Sequence, residues 1–175
     1  MNKRALINGC IYCLLFIIYK LIILLGGYTL SKFGFYYSNI VGMIFIWPFY
    51  VVAVKQVRDK DYGGIISGKD AVRLCLTVFA TALVITSLYN YFEFNIAYKE
   101  IATRYYHSQE YLDILKAQQL NHPDKIKTEN FPLIVEEQIR DLSAFKATTG
   151  KLIPFMFVGL GGAFVTSMLM KRSAR

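Results

Sequence analysis

Histidines and carboxylates are the first candidates for chemistry, because together they can bind zinc. The chain pairs His107 with Glu110 and His122 with Asp124. An H-x-x-E spacing can place two ligands on one helix face, but zinc sites generally need three or four protein ligands. No convincing third ligand stands near either pair. We therefore predict that these are solvated surface residues and that the protein has no metal site.

The cysteines are the next candidates, for redox chemistry or metal binding. Cys10 and Cys13 form a C-x-x-C, and Cys75 stands alone. All three lie inside apolar stretches, whereas redox and zinc motifs of this spacing lie on exposed turns or helix starts. We expect the three thiols to pack as small hydrophobic groups, without a disulfide.

The sequence lacks the motifs that are typical of common enzyme classes. It contains no H-E-x-x-H, G-x-S-x-G, phosphate-binding glycine loop or dinucleotide fingerprint. We therefore predict that the protein is not an enzyme and uses no cofactor.

Two charged residues lie within or beside apolar stretches. Lys20 is near the end of the first stretch, and Glu93 directly follows the third. The simpler expectation for Lys20 is that its long stem carries the ammonium to the membrane–water interface. The alternative hypothesis is that Lys20 and Glu93 lie at similar depth and form an ion pair.

Four apolar stretches must position these residues. They occupy about residues 5–25, 37–54, 71–92 and 152–170, and hydrophobic residues make up 55% of the chain. A membrane-spanning helix needs about 20 mostly apolar residues. We predict an all-α fold in a single domain: an integral membrane four-helix bundle with residues 94–151 as an insert between the third and fourth spans.

The basic residues indicate the orientation of the spans. Ten of them lie in the two ends and in the loop 55–73, whereas the first connection holds only Lys32. The positive-inside rule then places both termini and this loop in the cytoplasm, as in a protein of the bacterial cytoplasmic (inner) membrane. Orientation and attraction to the anionic lipid bilayer account for the net charge of +8, so we do not expect a nucleic-acid partner.

The loop 55–73 also predicts two local structures. Gly63 and Gly64 supply the flexible backbone of a tight turn. Ser67 and Asp70 have the spacing of a capping box, in which Ser67 accepts from the Asp70 amide and Asp70 reaches back. A helix should therefore start at this point.

Pro48 interrupts the second span. Because proline has no N–H, the carbonyl of Ile44 loses its helical partner, and we expect a kink between Ile44 and Pro48. Such kinks occur in transporters but are common in membrane helices generally, so they favour transport only weakly.

Small residues recur along the fourth span at the helical spacing i, i+3, i+4, i+7, i+8. They are Gly159, Gly162, Ala163, Thr166 and Ser167. They form a narrow helix face that a neighbouring backbone can approach closely. The spacing leaves open whether that neighbour belongs to the same chain or to a second copy.

The insert, residues 94–151, is polar yet periodic and predicts an extracytoplasmic helical hairpin. Its first arm should end near Leu120, and its second should run from about Pro132 to Thr148. One apolar face of the second arm would consist of Phe131, Val135, Ile139, Leu142 and Phe145. Because such a hairpin is too small to fold alone, we expect its apolar faces to pack on the membrane helices or on another subunit.

These features together resemble a known family. They are the four apolar spans, the run G-G-I-I-S-x-x-D-A from Gly63 into the third span, the long charged insert, and a glycine-rich last span ending in Lys171 and Arg172. The chain is similar over nearly its whole length to the uncharacterised bacterial four-helix membrane family known as domain of unknown function 4199, most specifically between Gly63 and Arg73. The resemblance implies a bacterial inner-membrane protein. It implies no particular reaction, ligand or functional residue.

Two functional hypotheses remain. The first is a non-enzymatic membrane protein that works through protein contacts, as an accessory or assembly subunit of a membrane complex. The insert and the small-residue face would be its surfaces, and other membrane subunits or further copies of the chain its partners. The alternative is a small oligomeric transporter or channel component in which the Pro48 kink and Lys20 line a path. An intramembrane enzyme would need a polar cluster at one depth, which the spans do not indicate.

Overall fold

The computed structural model describes residues 2–31, 33–123 and 127–171, with the backbone alone at residues 35 and 36. The regular elements in these ranges are helices. The α-helices are α1 (Lys3–Leu25), α2 (Ser38–Ile44), α3 (Ile46–Asp61), α4 (Gly68–Glu93), α5 (Lys99–Tyr106), α6 (Gln109–Asn121), α7 (Phe131–Arg140) and α8 (Ala144–Met170). Short 3-10 turns cover Tyr28–Leu30 and Thr128–Asn130, and π-helical turns cover Phe33–Tyr37 and Phe94–Tyr98.

Four long apolar helices of the described chain have the length and composition to cross a membrane. They are Lys3–Leu25, Ser38–Asp61, Gly68–Tyr106 and Ala144–Met170. The four predicted spans correspond one to one to these helices, which are longer because polar residues continue them beyond the apolar stretches. The protein is therefore an all-α, multi-pass membrane protein.

Polar side chains fix where three of the long helices begin. The Asn2 side chain accepts hydrogen bonds from the amides of Arg4 and Ala5 at the start of α1. The Ser143 hydroxyl accepts from the Lys146 amide at the start of α8, and Ser67 makes the equivalent cap at α4. Each cap satisfies one or two of the amides that a helix start leaves without a partner.

The second membrane helix is interrupted within the predicted kink region. α2 ends at Ile44 and α3 begins at Ile46, so the break falls at Phe45, three residues before Pro48. Pro48 cannot donate to the carbonyl of Ile44, and the helix breaks directly after that carbonyl.

The bundle core, formed by α1–α4 and α8, is rich in aromatic residues. The Tyr12 ring lies 5.7 Å from the Phe49 ring and 6.3 Å from the Phe155 ring, measured between centroids. Phe155 in turn lies 5.5 Å from Phe79. These contacts join the first, second, third and fourth membrane helices around one apolar centre.

The insert contains a second hydrophobic core, separate from that of the bundle. Its buried apolar side chains are Phe94, Tyr98, Ala102, Tyr105, Tyr111, Leu115, Phe131 and Val135, with Ala144 and Ala147 of α8 packed against them. The expectation was that these faces pack on the membrane helices or on another subunit. In the described chain they pack mainly on one another and on the first turn of α8, and a contact with another subunit stays a prediction. Burying them together removes their apolar surface from water.

The first predicted arm ends and the second begins near the predicted positions, since α6 ends at Asn121 and α7 begins at Phe131, but each arm is broken into two helices. The predicted first arm is broken at His107, where Ser108 caps α6, and the predicted second arm is broken at Asp141, where Ser143 caps α8. Phe145 lies beyond that second break and is 73% exposed, so it does not share the packed face. The serine caps start new helices at these points, although the apolar periodicity of the sequence continues across them.

Candidate functional site

Three charged side chains meet inside the bundle, and we call them the charged triad: Lys20, Glu93 and Lys151. The Lys20 Nζ lies 3.6 Å from Glu93 Oε1, and the Lys151 Nζ lies 3.1 Å from Glu93 Oε2. The side chains of Lys20 and Glu93 are 1% and 4% exposed, and that of Lys151 is 12% exposed. Glu93 is thus shared between two lysines that come from different helices.

Neutral polar groups complete the hydrogen bonding of the triad. Lys20 donates to Asn39 Oδ1 at 3.2 Å, and Lys151 donates to Asn90 Oδ1 at 3.4 Å. The Tyr89 hydroxyl donates to Glu93 Oε1 at 3.2 Å. These bonds matter because a buried charge is tolerated only when its donors and acceptors are matched.

Helix ends bring these residues to one level of the bundle. Lys20 lies in the last turns of α1, Asn39 in the first turn of α2, Glu93 at the last residue of α4, and Lys151 in the second turn of α8. The chain continues past Glu93 through the π-helical turn, which carries Tyr98 so that its ring centroid lies 4.3 Å from Lys151 Nζ. That cation–π contact ties the insert to the charged triad.

The charges of the triad do not cancel. Two lysines and one glutamate leave a formal excess of one positive charge among the buried groups. An uncompensated charge away from water costs several kcal/mol at least, as an order of magnitude. The arrangement can therefore attract an anion or hold a proton, besides joining helices.

The position of Lys20 bears on both expectations stated for it, the interfacial ammonium and the ion pair with Glu93. The prediction that its ammonium reaches the membrane–water interface is wrong, since the side chain is 1% exposed and points into the bundle. The ammonium lies instead beside Glu93 and Asn39, which offer it acceptors that lipid does not. The three charged side chains lie at one level of the bundle, although only Lys20 lies within a predicted span.

Lys151 is the member that sequence reasoning missed. It directly precedes the predicted fourth span and was counted with the insert, but α8 starts at Ala144 and so carries Lys151 in its second turn. The signal that could have found it is the Ser143 cap, which sets the helix start well before the apolar run.

The small-residue face of α8 packs against helices of the same chain. The Tyr50 hydroxyl donates to the carbonyl of Gly159 at 3.0 Å, and the Trp47 indole donates to that of Val158 at 3.3 Å. A Cβ at Gly159 would collide with the Phe79 ring, and one at Gly162 with Trp47. Ala163, Thr166 and Ser167 are buried too, so this face is not a surface for a second copy or another subunit.

The loop between α3 and α4 has the two predicted glycines in left-handed backbone. Their φ angles are +60° at Gly63 and +92° at Gly64. The Ser67 hydroxyl oxygen accepts from the Asp70 amide at 3.1 Å, as the capping box requires. The second bond differs from the prediction, because the Asp70 carboxylate accepts from the Ser67 hydroxyl at 2.7 Å and not from the Ser67 backbone.

The histidines and cysteines form no cluster in the part of the chain that the structure describes. No group of three or more His, Cys, Asp or Glu side chains there could hold a metal ion. His107 Nδ1 lies 2.9 Å from the carbonyl of Thr103, and Asp124 lies outside the described residues. Cys10, Cys13 and Cys75 are free thiols.

The four apolar helices place the chain in the class of small multi-pass membrane proteins. Within that class, the family described as Protein of unknown function (DUF4199) matches residues 3–172, and the chain belongs to this family. No curated protein and no solved structure matches the chain.

Proposed function

We propose that the protein is a non-enzymatic subunit of the bacterial inner membrane that works through protein contacts, as an accessory or assembly factor of a membrane complex. Both termini are cytoplasmic in this proposal, and the insert forms an extracytoplasmic helical hairpin. The observation that carries the proposal is the insert, a folded helical platform outside the apolar bundle that is held to it at several points.

The insert is joined to the bundle by the backbone and by side-chain contacts. The helical stretch Gly68–Tyr106 passes through the π-helical turn at Phe94–Tyr98, so the third membrane helix continues into the insert. Lys151 contacts both Glu93 of the bundle and Tyr98 of the insert. A platform fixed in this way presents its surface in one geometry, which lowers the entropy cost of binding a partner.

Two apolar side chains of the insert point outward near its connecting turn. Leu120 at the end of α6 is 84% exposed, and Leu133 at the start of α7 is 61% exposed. Gln119 and Thr128 hydrogen-bond across the turn between these helices. These leucines lie apart from the apolar bundle helices, and apolar anchors on a rigid platform suit recognition of another protein.

The orientation is supported by the charges at the opposite end of the bundle. Arg4 at the start of α1 pairs with Asp61 at the end of α3 at 3.3 Å, and Lys171 lies beside Gly68 at the start of α4. The described residues Arg4 and Lys171 of the two ends therefore lie beside the loop 55–73 at one end of the bundle, which the positive-inside rule assigns to the cytoplasm.

Co-purification with matched variants tests the contact role. The variant L120E/L133E adds two charges at the outward leucines, and Q118E/Q138E adds two charges at exposed glutamines of the same two helices. After mild solubilisation, the wild type and Q118E/Q138E should retain a partner in fixed stoichiometry, and L120E/L133E should lose it. A chain that purifies without any stoichiometric partner, or retains it in both variants, contradicts the proposal.

A second candidate function is a small oligomeric transporter or channel component, and the charged triad is the observation that favours it. Ionisable residues inside membrane helices often line ion or proton paths, and Lys20 and Glu93 are such residues. This candidate requires a homo-oligomer that moves an ion or solute in liposomes, with a flux that K20M abolishes. Equal flux in wild-type and K20M liposomes excludes the route through Lys20.

A further inference from the structure

A cavity adjoins the charged triad on the side where the insert meets the bundle. It has a volume of about 340 Å³ and lies between α2, Tyr98 and the first turns of α8. Lys146, Lys151 and Asn39 supply its polar wall, and Ile40, Met43 and Pro154 supply much of the rest. Its volume is within the range of pockets that bind small ligands or headgroups.

The excess positive charge of the triad is exposed to this cavity through Lys151. Lys20 and Lys151 share one carboxylate, so one ammonium charge stays uncompensated, and Lys151 is the lysine of the triad that lines the cavity. An ammonium has three N–H donors, and Lys151 uses two of them on Glu93 and Asn90. The remaining side of the ammonium lies over the Tyr98 ring, a weak contact with which an anion in the cavity would compete for the third N–H.

Lys146 adds a second ammonium at the mouth of the cavity. It pairs with Asp141 at 2.8 Å, which holds the pKa of the Asp141 carboxyl below its ordinary value. Both partners are more than half exposed, so this ion pair is weak and Lys146 can turn to a stronger anion. The charged groups facing the cavity are thus two lysines, with Glu93 and Asp141 as their present partners.

The apolar wall decides what kind of anion fits. Ile40 and Pro154 are exposed on the outside of the bundle, beside the cavity. Both belong to helices that can cross a membrane: Ile40 lies in the first turn of α2, and Pro154 lies near the start of the apolar stretch 152–170 within α8. We expect this level of the bundle to meet the region where lipid headgroups join acyl chains. A small hydrophilic anion would leave this apolar wall in contact with water, whereas an amphiphile covers it.

We propose that this cavity binds the phosphate group of an anionic phospholipid, with the phosphate between Lys151 and Lys146 and an acyl chain along Ile40 and Pro154. Lysine is a common phosphate ligand, and the phosphate neutralises the excess charge of the triad. The site lies in the leaflet on the side of the insert. The inference does not depend on the accessory role, because it rests on the triad and the cavity alone.

Titration of the purified full-length chain with lipids tests the proposal. Native mass spectrometry and thermal unfolding in a neutral detergent would compare phosphatidylglycerol, phosphatidylcholine and inorganic phosphate. We expect phosphatidylglycerol to bind and raise the unfolding temperature, and the other two to have no comparable effect. An equal shift with phosphatidylcholine overturns the anion site, and an equal shift with inorganic phosphate overturns the lipid assignment.

Two variants separate the roles of charge and shape. K146Q removes the exposed lysine and should weaken phosphatidylglycerol binding about fivefold, while K116Q removes an exposed lysine of α6 outside the cavity and should leave binding unchanged. Gly150 lines the cavity and a Cβ there meets open space, so G150L adds an apolar side chain to the cavity wall without a clash at its first carbon. It should abolish binding in a folded protein, and full binding by G150L overturns the proposal.

Discussion

Lys151 Nζ lies 3.1 Å from Glu93 Oε2, which joins the second turn of the last membrane helix to the final residue of α4. Glu93 also faces Lys20 at 3.6 Å. One carboxylate therefore joins α1, α4 and α8 at a single level of the bundle. The consequences of removing each charge differ because the triad carries two positive charges and one negative charge.

Removal of Glu93 should be the most damaging change in the triad. E93Q leaves two buried ammonium groups without a counter-charge and should lower the free energy of unfolding by about 3–5 kcal/mol. K20M leaves Glu93 paired with Lys151 and removes the excess charge, so its loss should be near 1 kcal/mol, from the bond to Asn39. Chemical denaturation in mixed micelles measures both values, and equal losses would refute the shared-carboxylate arrangement.

A double-mutant cycle isolates the pair of Lys20 and Glu93. The free energy of unfolding is measured for K20A, E93A and the double variant. Because the two side chains are in contact, the effects of the single substitutions should not add, with a coupling of about 0.5–3 kcal/mol. If the double variant loses the sum of the single losses, the two residues do not interact energetically.

The glycines of α8 should differ sharply in their tolerance of a methyl group. G162A forces the Trp47 indole to move and G159A forces the Phe79 ring to move, so each should cost about 1–3 kcal/mol. G161A is the matched control on the same helix, because a Cβ there meets open space. It should be neutral or stabilising by up to about 1 kcal/mol. Equal destabilisation by all three would mean that the face does not pack as described.

The sequence indicates the apolar framework well, because a stretch of about 20 apolar residues has few alternatives to a membrane helix. Helix ends are less predictable, since single caps decide them. Ser108 and Ser143 end the two apparent arms of the insert, and Ser143 moves Lys151 into α8. The charged triad depends on that placement, so Lys20 could be matched with Glu93 from the sequence while Lys151 could not.

Spacing alone also left the partner of the small-residue face undecided. The residues that fill it, Trp47, Tyr50 and Phe79, lie on α3 and α4, far from it in sequence. Periodicity describes one helix at a time and carries no information on which neighbour packs against it. The three-dimensional arrangement was needed to assign this face to the inside of the bundle.

The orientation of the bundle can be measured with two engineered cysteines in a background whose three native cysteines are replaced by alanine. Lys69 lies on the basic loop 55–73, and Glu129 lies on the insert, and both are exposed. Because basic loops are retained in the cytoplasm, a membrane-impermeant maleimide should label E129C in intact bacterial spheroplasts. It should reach K69C only after the membrane is permeabilised. The reverse pattern would place the insert in the cytoplasm and, with it, the surface and lipid site proposed for the opposite side.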